Sequence, residues 1–151
     1  MTDTGQGNGS SVQADESKRT SRAVGRNVAR LRGGEGISAR ALAERVSERG
    51  VRMSQSGVAD IERGQRTVSV DQLTALADAL GVSPLALLMP HSVTGDAEMV
   101  ALTGVESSLG LELWNWLRAD YPLRYEPRGD AASEHEAEVF RRRSTPPWAW
   151  S

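Results

Sequence analysis

The spacing of apolar positions divides the chain into three parts. Residues 1–20 are rich in Gly, Ser, Thr, Asp and Gln and hold almost nothing apolar. Such a stretch cannot bury enough surface to offset its ordering entropy, so a disordered tail is expected there. From Ser21 to Pro90 the apolar residues recur with helical period. Val24, Val28 and Leu31 fall at i, i+4 and i+7 and predict a first helix from Ser21 to Arg32, ended by Gly33, Gly34 and Gly36. Ser38 as N-cap, after the apolar Ile37, opens a second helix that turns Ala41, Leu42 and Val46 inward and ends near Gly50. Ser54 caps a third helix, residues 54–63, with Val58 and Ile61 inward and Gly64 at the left-handed C-cap position. Ser69 and Gln72 make a capping box ahead of Leu73, Leu76, Ala77 and Leu80, and Gly81 closes that helix. Pro84, behind Ser83, suits the first position of a fifth helix whose core residues are Leu85, Leu87 and Leu88 and which Pro90 stops. Helices this short do not persist alone in water, so a shared core must hold them.

The pattern from residue 91 to 151 is weaker. Met99–Thr103 reads as a short strand or an extended linker. Leu109, Leu113, Trp116 and Leu117 predict a helix from Glu106 to Ala119, with Pro122 as a stop. Ser133 to Glu136 reads as another capping box, followed by Ala137, Val139 and Phe140. Arg141, Arg142 and Arg143 then suit the helix dipole at the C-terminal end. The expected fold is all-α: a five-helix domain over residues 21–90 and a small, mostly helical extension over 91–151.

Composition narrows the function. There is no cysteine, which excludes disulfides and Cys-based zinc sites. No apolar run approaches the roughly 18 residues of a membrane span, and the N-terminus lacks the order of a secretory signal. A cytoplasmic location without membrane association is expected. The net charge of −2 hides an asymmetry. Residues 21–90 carry 10 Arg against 7 acidic residues, whereas residues 91–151 carry 6 Arg against 10. A basic middle suits a phosphate backbone, because neutralised phosphates release counterions. The two histidines and scattered carboxylates form no catalytic constellation. His135-Glu136 lacks the second His of a zinc-protease helix, and Gly33-Gly34-Glu35-Gly36 follows a helix rather than a strand. Neither enzyme activity, cofactor nor metal is expected.

The chemistry worth reading lies at the tip of the third helix. Gln55 and Ser56 occupy outward positions in its first turn. Gln can pair in a bidentate way with adenine N6 and N7, and Ser can bond several base edges. A short helix with a small polar tip is what the second helix of a helix-turn-helix presents to the major groove.

With these pieces in order, the chain resembles the helix-turn-helix regulators of the Cro and phage-repressor type, also called XRE-type. The resemblance rests on Val28-Ala29-Arg30-Leu31-Arg32, Ile37-Ser38-Ala39-Arg40-Ala41-Leu42-Ala43, Ile61-Glu62-Arg63-Gly64 and Leu76-Ala77-Asp78-Ala79-Leu80-Gly81-Val82. Gln55-Ser56-Gly57-Val58 is similar to the start of the lambda repressor's recognition helix. The resemblance implies a lambda-repressor-like domain in which Gln55 and Ser56 read bases, with Asp60 one turn on. It implies that Ser38, Arg40, Arg63, Gln65, Arg66 and Thr67 hold the phosphate backbone. It further implies that Gly57 lets the helix approach DNA closely, and that Arg32 and Glu62 form a buried salt bridge. One departure stands out: the stretch from Ala43 to Ser54 is several residues longer than the family's usual connection. A longer second helix or a wider turn around Gly50 is expected.

The reading is a sequence-specific, dimeric repressor that recognises a palindromic duplex operator. The alternative is a protein-interaction module, antitoxin-like or partner-regulated, in which residues 91–151 bind another protein. Leu113, Trp114, Trp116, Trp148 and Trp150 are the candidate interface residues under either reading, since Trp is enriched at interface hot spots.

Overall fold

A computed structural model describes residues 16–92 and 95–150, and the chain divides into two units. The first runs to His91 and includes the returning segment Ala101–Glu106; the second comprises Ser92–Val100 and Ser107–Ser151. Residues 1–15 of the expected tail lie outside the described residues.

Among the described residues the first unit holds five helices: α1 (Arg19–Gly34), α2 (Ala39–Glu48), α3 (Gln55–Glu62), α4 (Val70–Ala79) and α5 (Pro84–Leu88). Four of the starts follow the local chemistry read above. Ser38, Ser54, Ser69 and Ser83 each accept a hydrogen bond from a backbone N–H of the first turn, at Ala41, Gly57, Gln72 and Leu85. The Gln72 side chain bonds back to the Ser69 N–H at 3.1 Å, completing the capping box. Gly36, Gly50, Gly64 and Gly81 all have positive φ and end the helices before them.

α1 begins at Arg19, two residues before the expected Ser21, and continues through Gly33 and Gly34. Thr20 is therefore not tail. Its N–H donates to Thr103 Oγ1 at 3.1 Å, and its Oγ1 accepts from the Thr103 N–H at 2.8 Å. Two reciprocal bonds across 83 residues tie the start of α1 to the returning segment, and nothing in the local sequence announces them.

The core is a single cluster built on Val24, Val28, Leu42, Val46, Val58, Ile61, Leu76 and Leu87, with Leu31, Ile37, Leu73 and Leu88 packed around it. Burying each large aliphatic side chain is worth about 1.5–3 kcal/mol. The long connection between α2 and α3 is a wide turn and not a longer helix. α2 stops at Glu48, and Ser47 Oγ then donates to the Met53 carbonyl (3.1 Å) and accepts from its N–H (3.3 Å). Met53 is buried and Val51 packs on the core, so the extra residues are anchored from within.

The second unit contains a two-residue antiparallel ladder, β1 (Met99–Val100) with β2 (Ser108–Leu109), then α6 (Gly110–Leu117), α7 (Ala131–Ser144) and a 3₁₀ turn at Pro147–Ala149. Two expectations need correction. The helix foreseen over 106–119 starts only at Gly110, because residues 108 and 109 pair with β1. Its beginning is fixed by Glu112, which accepts from the Leu109 N–H at 3.0 Å. α7 starts at Ala131 with Asp130 as its cap, accepting from the Ser133 N–H at 2.8 Å. Ser133 is an interior, buried residue of that helix rather than its cap.

Candidate nucleic-acid interface

α3 sits on the rest of the first unit through a close backbone crossing with α1. Gly25 makes the crossing possible: a Cβ there would stand 2.0 Å from the Ile61 carbonyl oxygen. No apolar periodicity flags this glycine, because its constraint comes from a residue 36 positions away. A second brace is the pair between Arg32 and Glu62. Arg32 Nε meets Glu62 Oε1 at 2.5 Å and Nη2 meets Oε2 at 2.9 Å, while Nη1 donates to the Ile37 carbonyl at 2.8 Å. The side chains are 23% and 13% exposed, so the pair is partly buried. The hydrogen bond to Glu62 raises the Arg32 pKa above its usual value against the opposing effect of desolvation. A third brace is Asn27, wholly buried, whose Nδ2 donates to the Leu87 and Met89 carbonyls at 3.0 and 2.7 Å. It ties α1 to the C-terminal end of α5. A polar residue in an apolar stripe was the available signal for it.

Held this way, α3 presents Gln55 and Ser56 as exposed residues of its first turn. The Gln55 amide has no side-chain partner among the described residues, and Ser56 Oγ lies 3.1 Å from Ser54 Oγ. Asp60 is engaged, because Arg63 Nη2 donates to its Oδ1 at 2.6 Å. Gln65 Oε1 accepts from Arg63 Nε at 3.4 Å. Any ligand of Asp60 or Arg63 competes with that local network. Arg66 is exposed and has no ion pair or hydrogen bond among the described residues, and Thr67 beside it is also exposed. Ser38 is occupied as the cap of α2, and Arg40 pairs with Glu44 at 3.0 Å.

Gly57 serves a different purpose from the one the resemblance implies. It is buried, and a Cβ there would lie 3.1 Å from Arg66 Nη1, 3.2 Å from Ser54 Oγ and 3.3 Å from Met53 Sδ. The space is filled by the chain's own side chains, and the guanidinium of Arg66 is thereby laid along the first turn of α3. Two residues near the loop after α3 escaped the sequence reading. Arg22 lies across Gly64, its Cγ 2.9 Å from where a Cβ would stand, and Ser21 Oγ accepts from the Val68 N–H at 3.4 Å. The start of α1 thus borders the same loop as Gln65, Arg66 and Thr67.

Residues 23–88 match a family described as a helix-turn-helix domain. The chain is also similar to the restriction-modification controller protein C.AhdI from Aeromonas hydrophila. The two are 34% identical over 49% of this chain and 97% of that one, with a TM-score of 0.39. This chain belongs to the XRE-type helix-turn-helix family. Its first unit is the lambda-repressor-like, all-α DNA-binding domain of a transcription regulator. No curated protein matches the sequence. Among the described residues no helix is long and apolar enough to cross a membrane.

Among the candidate interface residues of the second unit, Leu113 must be withdrawn. It is fully buried, and a side chain with no accessible surface cannot meet a partner. Trp114 and Trp116 are half-buried, and the Arg118 guanidinium lies 5.5 Å from the Trp114 ring. Trp150 donates its indole N–H to the Thr145 carbonyl and Oγ1 at 3.3 and 3.1 Å, under the Arg142 guanidinium. Trp148 is 87% exposed.

Proposed function

We propose that this XRE-type protein is a dimeric repressor that reads a palindromic duplex operator through α3. The observation that carries the reading is the first turn of α3. Gln55 and Ser56 stand exposed at a Ser54-capped N-terminus, with the Arg66 guanidinium, unpaired among the described residues, laid beside them. Gln55 and Ser56 contact base edges; Asp60 joins them where a base draws it away from Arg63. Arg66 and Thr67, with Gln65 and Arg63 once released from Asp60, hold the phosphate backbone on one side. Ser38 and Arg40 at the start of α2 hold it on the other. The similarity to a restriction-modification controller supports a regulator of this kind.

The test is selection of bound duplexes from a random library at about 150 mM salt, where non-specific backbone binding is weak. An enriched palindrome whose half-sites lie about one helical turn apart, roughly 10 base pairs, supports the dimeric reading. Binding without enrichment refutes it. A second reading, in which the second unit binds another protein, is favoured by one observation: the exposure of Trp148. A partner that co-purifies with the parent chain but not with Trp148→Ala supports it.

A further inference from the structure

The second unit holds a pocket of about 470 Å³ between the first turns of α6 and α7 and the loop that joins those helices. Its walls include Tyr121 and Tyr125, whose rings stack with centroids 4.8 Å apart at 12°, together with Pro122 and Leu111. Its polar side chains include Glu112, Glu134, Asn115 and Ser133. The size falls within the range of roughly 300–1,000 Å³ usual for small-molecule sites. The footprint is much smaller than the roughly 20–30 residues a side of a stable protein interface.

The charge of the lining selects the ligand. No Arg, Lys or His borders the pocket. Among the described residues Glu134 makes no ion pair and its carboxylate no hydrogen bond, and the Asn115 side-chain amide has no partner either. Glu112 uses one oxygen on the Leu109 N–H and keeps the other. The Tyr125 hydroxyl donates to the Ser133 carbonyl at 3.0 Å, which leaves its oxygen free to accept. The positive ends of two helix dipoles lie at this pocket, but each is already capped by a carboxylate, Glu112 on α6 and Asp130 on α7. What remains is acceptor-rich and negative, against aromatic faces that attract cations.

We infer that this pocket binds a small organic cation, an amine carried on an apolar or aromatic body. The ammonium meets Glu134, with Glu112 and the side-chain oxygen Oδ1 of Asn115 nearby. The body lies against Tyr121, Tyr125, Pro122 and Leu111. The inference stands apart from the repressor reading, because it concerns the second unit and its measurement involves no DNA.

The test titrates the full chain with three probes of one shape, phenethylamine, phenethyl alcohol and hydrocinnamate, followed by chemical-shift changes in nuclear magnetic resonance spectra. The amine is expected to bind best and the carboxylate worst. Glu134→Gln, which removes no hydrogen bond or ion pair of the side chain, should weaken the amine about tenfold and leave the alcohol unchanged. Tyr121→Ala should weaken amine and alcohol together. Thermal melts show whether each variant is folded. No amine binding at millimolar concentration, equal binding of the three probes, or unchanged amine affinity in both variants overturns the proposal.

Discussion

Replacing Gly25 by Ala tests how α3 is held. Gly25 lies in α1 where the two helices cross, and a Cβ there would stand 2.0 Å from the Ile61 carbonyl oxygen and 3.0 Å from its carbon. Non-bonded heavy atoms prefer separations of about 3.5–4.0 Å, so the helices must part by roughly 1 Å or more. The obstacle is backbone in mid-helix and cannot swing aside as a side chain would. Overpacking of this kind costs about 1–3 kcal/mol. The better helix propensity of Ala returns roughly 0.5–1 kcal/mol. A net loss of up to about 2.5 kcal/mol follows, which lowers Tm by roughly 4–8 °C per kcal/mol in a domain of this size. The control is Gly33→Ala in the same helix, where no atom lies within 4 Å of the added Cβ. That variant should match the parent chain or gain up to about 1 kcal/mol. Thermal melts by circular dichroism compare the two. If Gly25→Ala melts at or above Gly33→Ala, the crossing is not as close as described and the reasoning fails.

Five further outcomes are expected. Asn27→Ala should cost about 1–3 kcal/mol in a urea melt, because the Leu87 and Met89 carbonyls lose their donor inside the fold. A double-mutant cycle of Arg32→Met and Glu62→Gln should return a coupling of roughly 1–3 kcal/mol; a value near zero would make the pair incidental. Asp130 has its pKa lowered, first by the backbone hydrogen bond from Ser133, then by the Ser133 side chain and Arg128. A lowered folded pKa means that the cap stabilises α7 above the ordinary carboxylate value of 3.8 and loses that contribution as pH falls below it. Asp130→Asn should flatten the acid limb of a helicity–pH curve. On a selected operator, Gln55→Ala should lose about 1–3 kcal/mol of preference at one base pair. Arg66→Ala should instead weaken all duplexes alike and reduce the salt slope by about 1.

What the sequence determined by itself was local. Helix caps and stops act within about four residues, so Ser38, Ser54, Ser69 and Ser83, and the glycines that end the helices before them, could be placed from neighbours alone. Apolar period likewise marked the inward faces of the first unit, and residue type made Gln55 and Ser56 candidates for base contact. Tertiary structure decided whatever depends on a partner distant in sequence. Gly25 is constrained by Ile61, Asn27 by Leu87 and Met89, and Thr20 by Thr103. It also decided which polar groups of the candidate interface are engaged: Asp60 and Arg63 pair with each other, whereas Gln55 and Arg66 have no side-chain partner among the described residues. In the second unit the period located a helix but could not tell a core position from a surface one. Leu113 and Trp116 share a helical stripe, yet the fold buries the first completely and the second only in part. A stripe states which residues face the same way, and only the packing states what covers them.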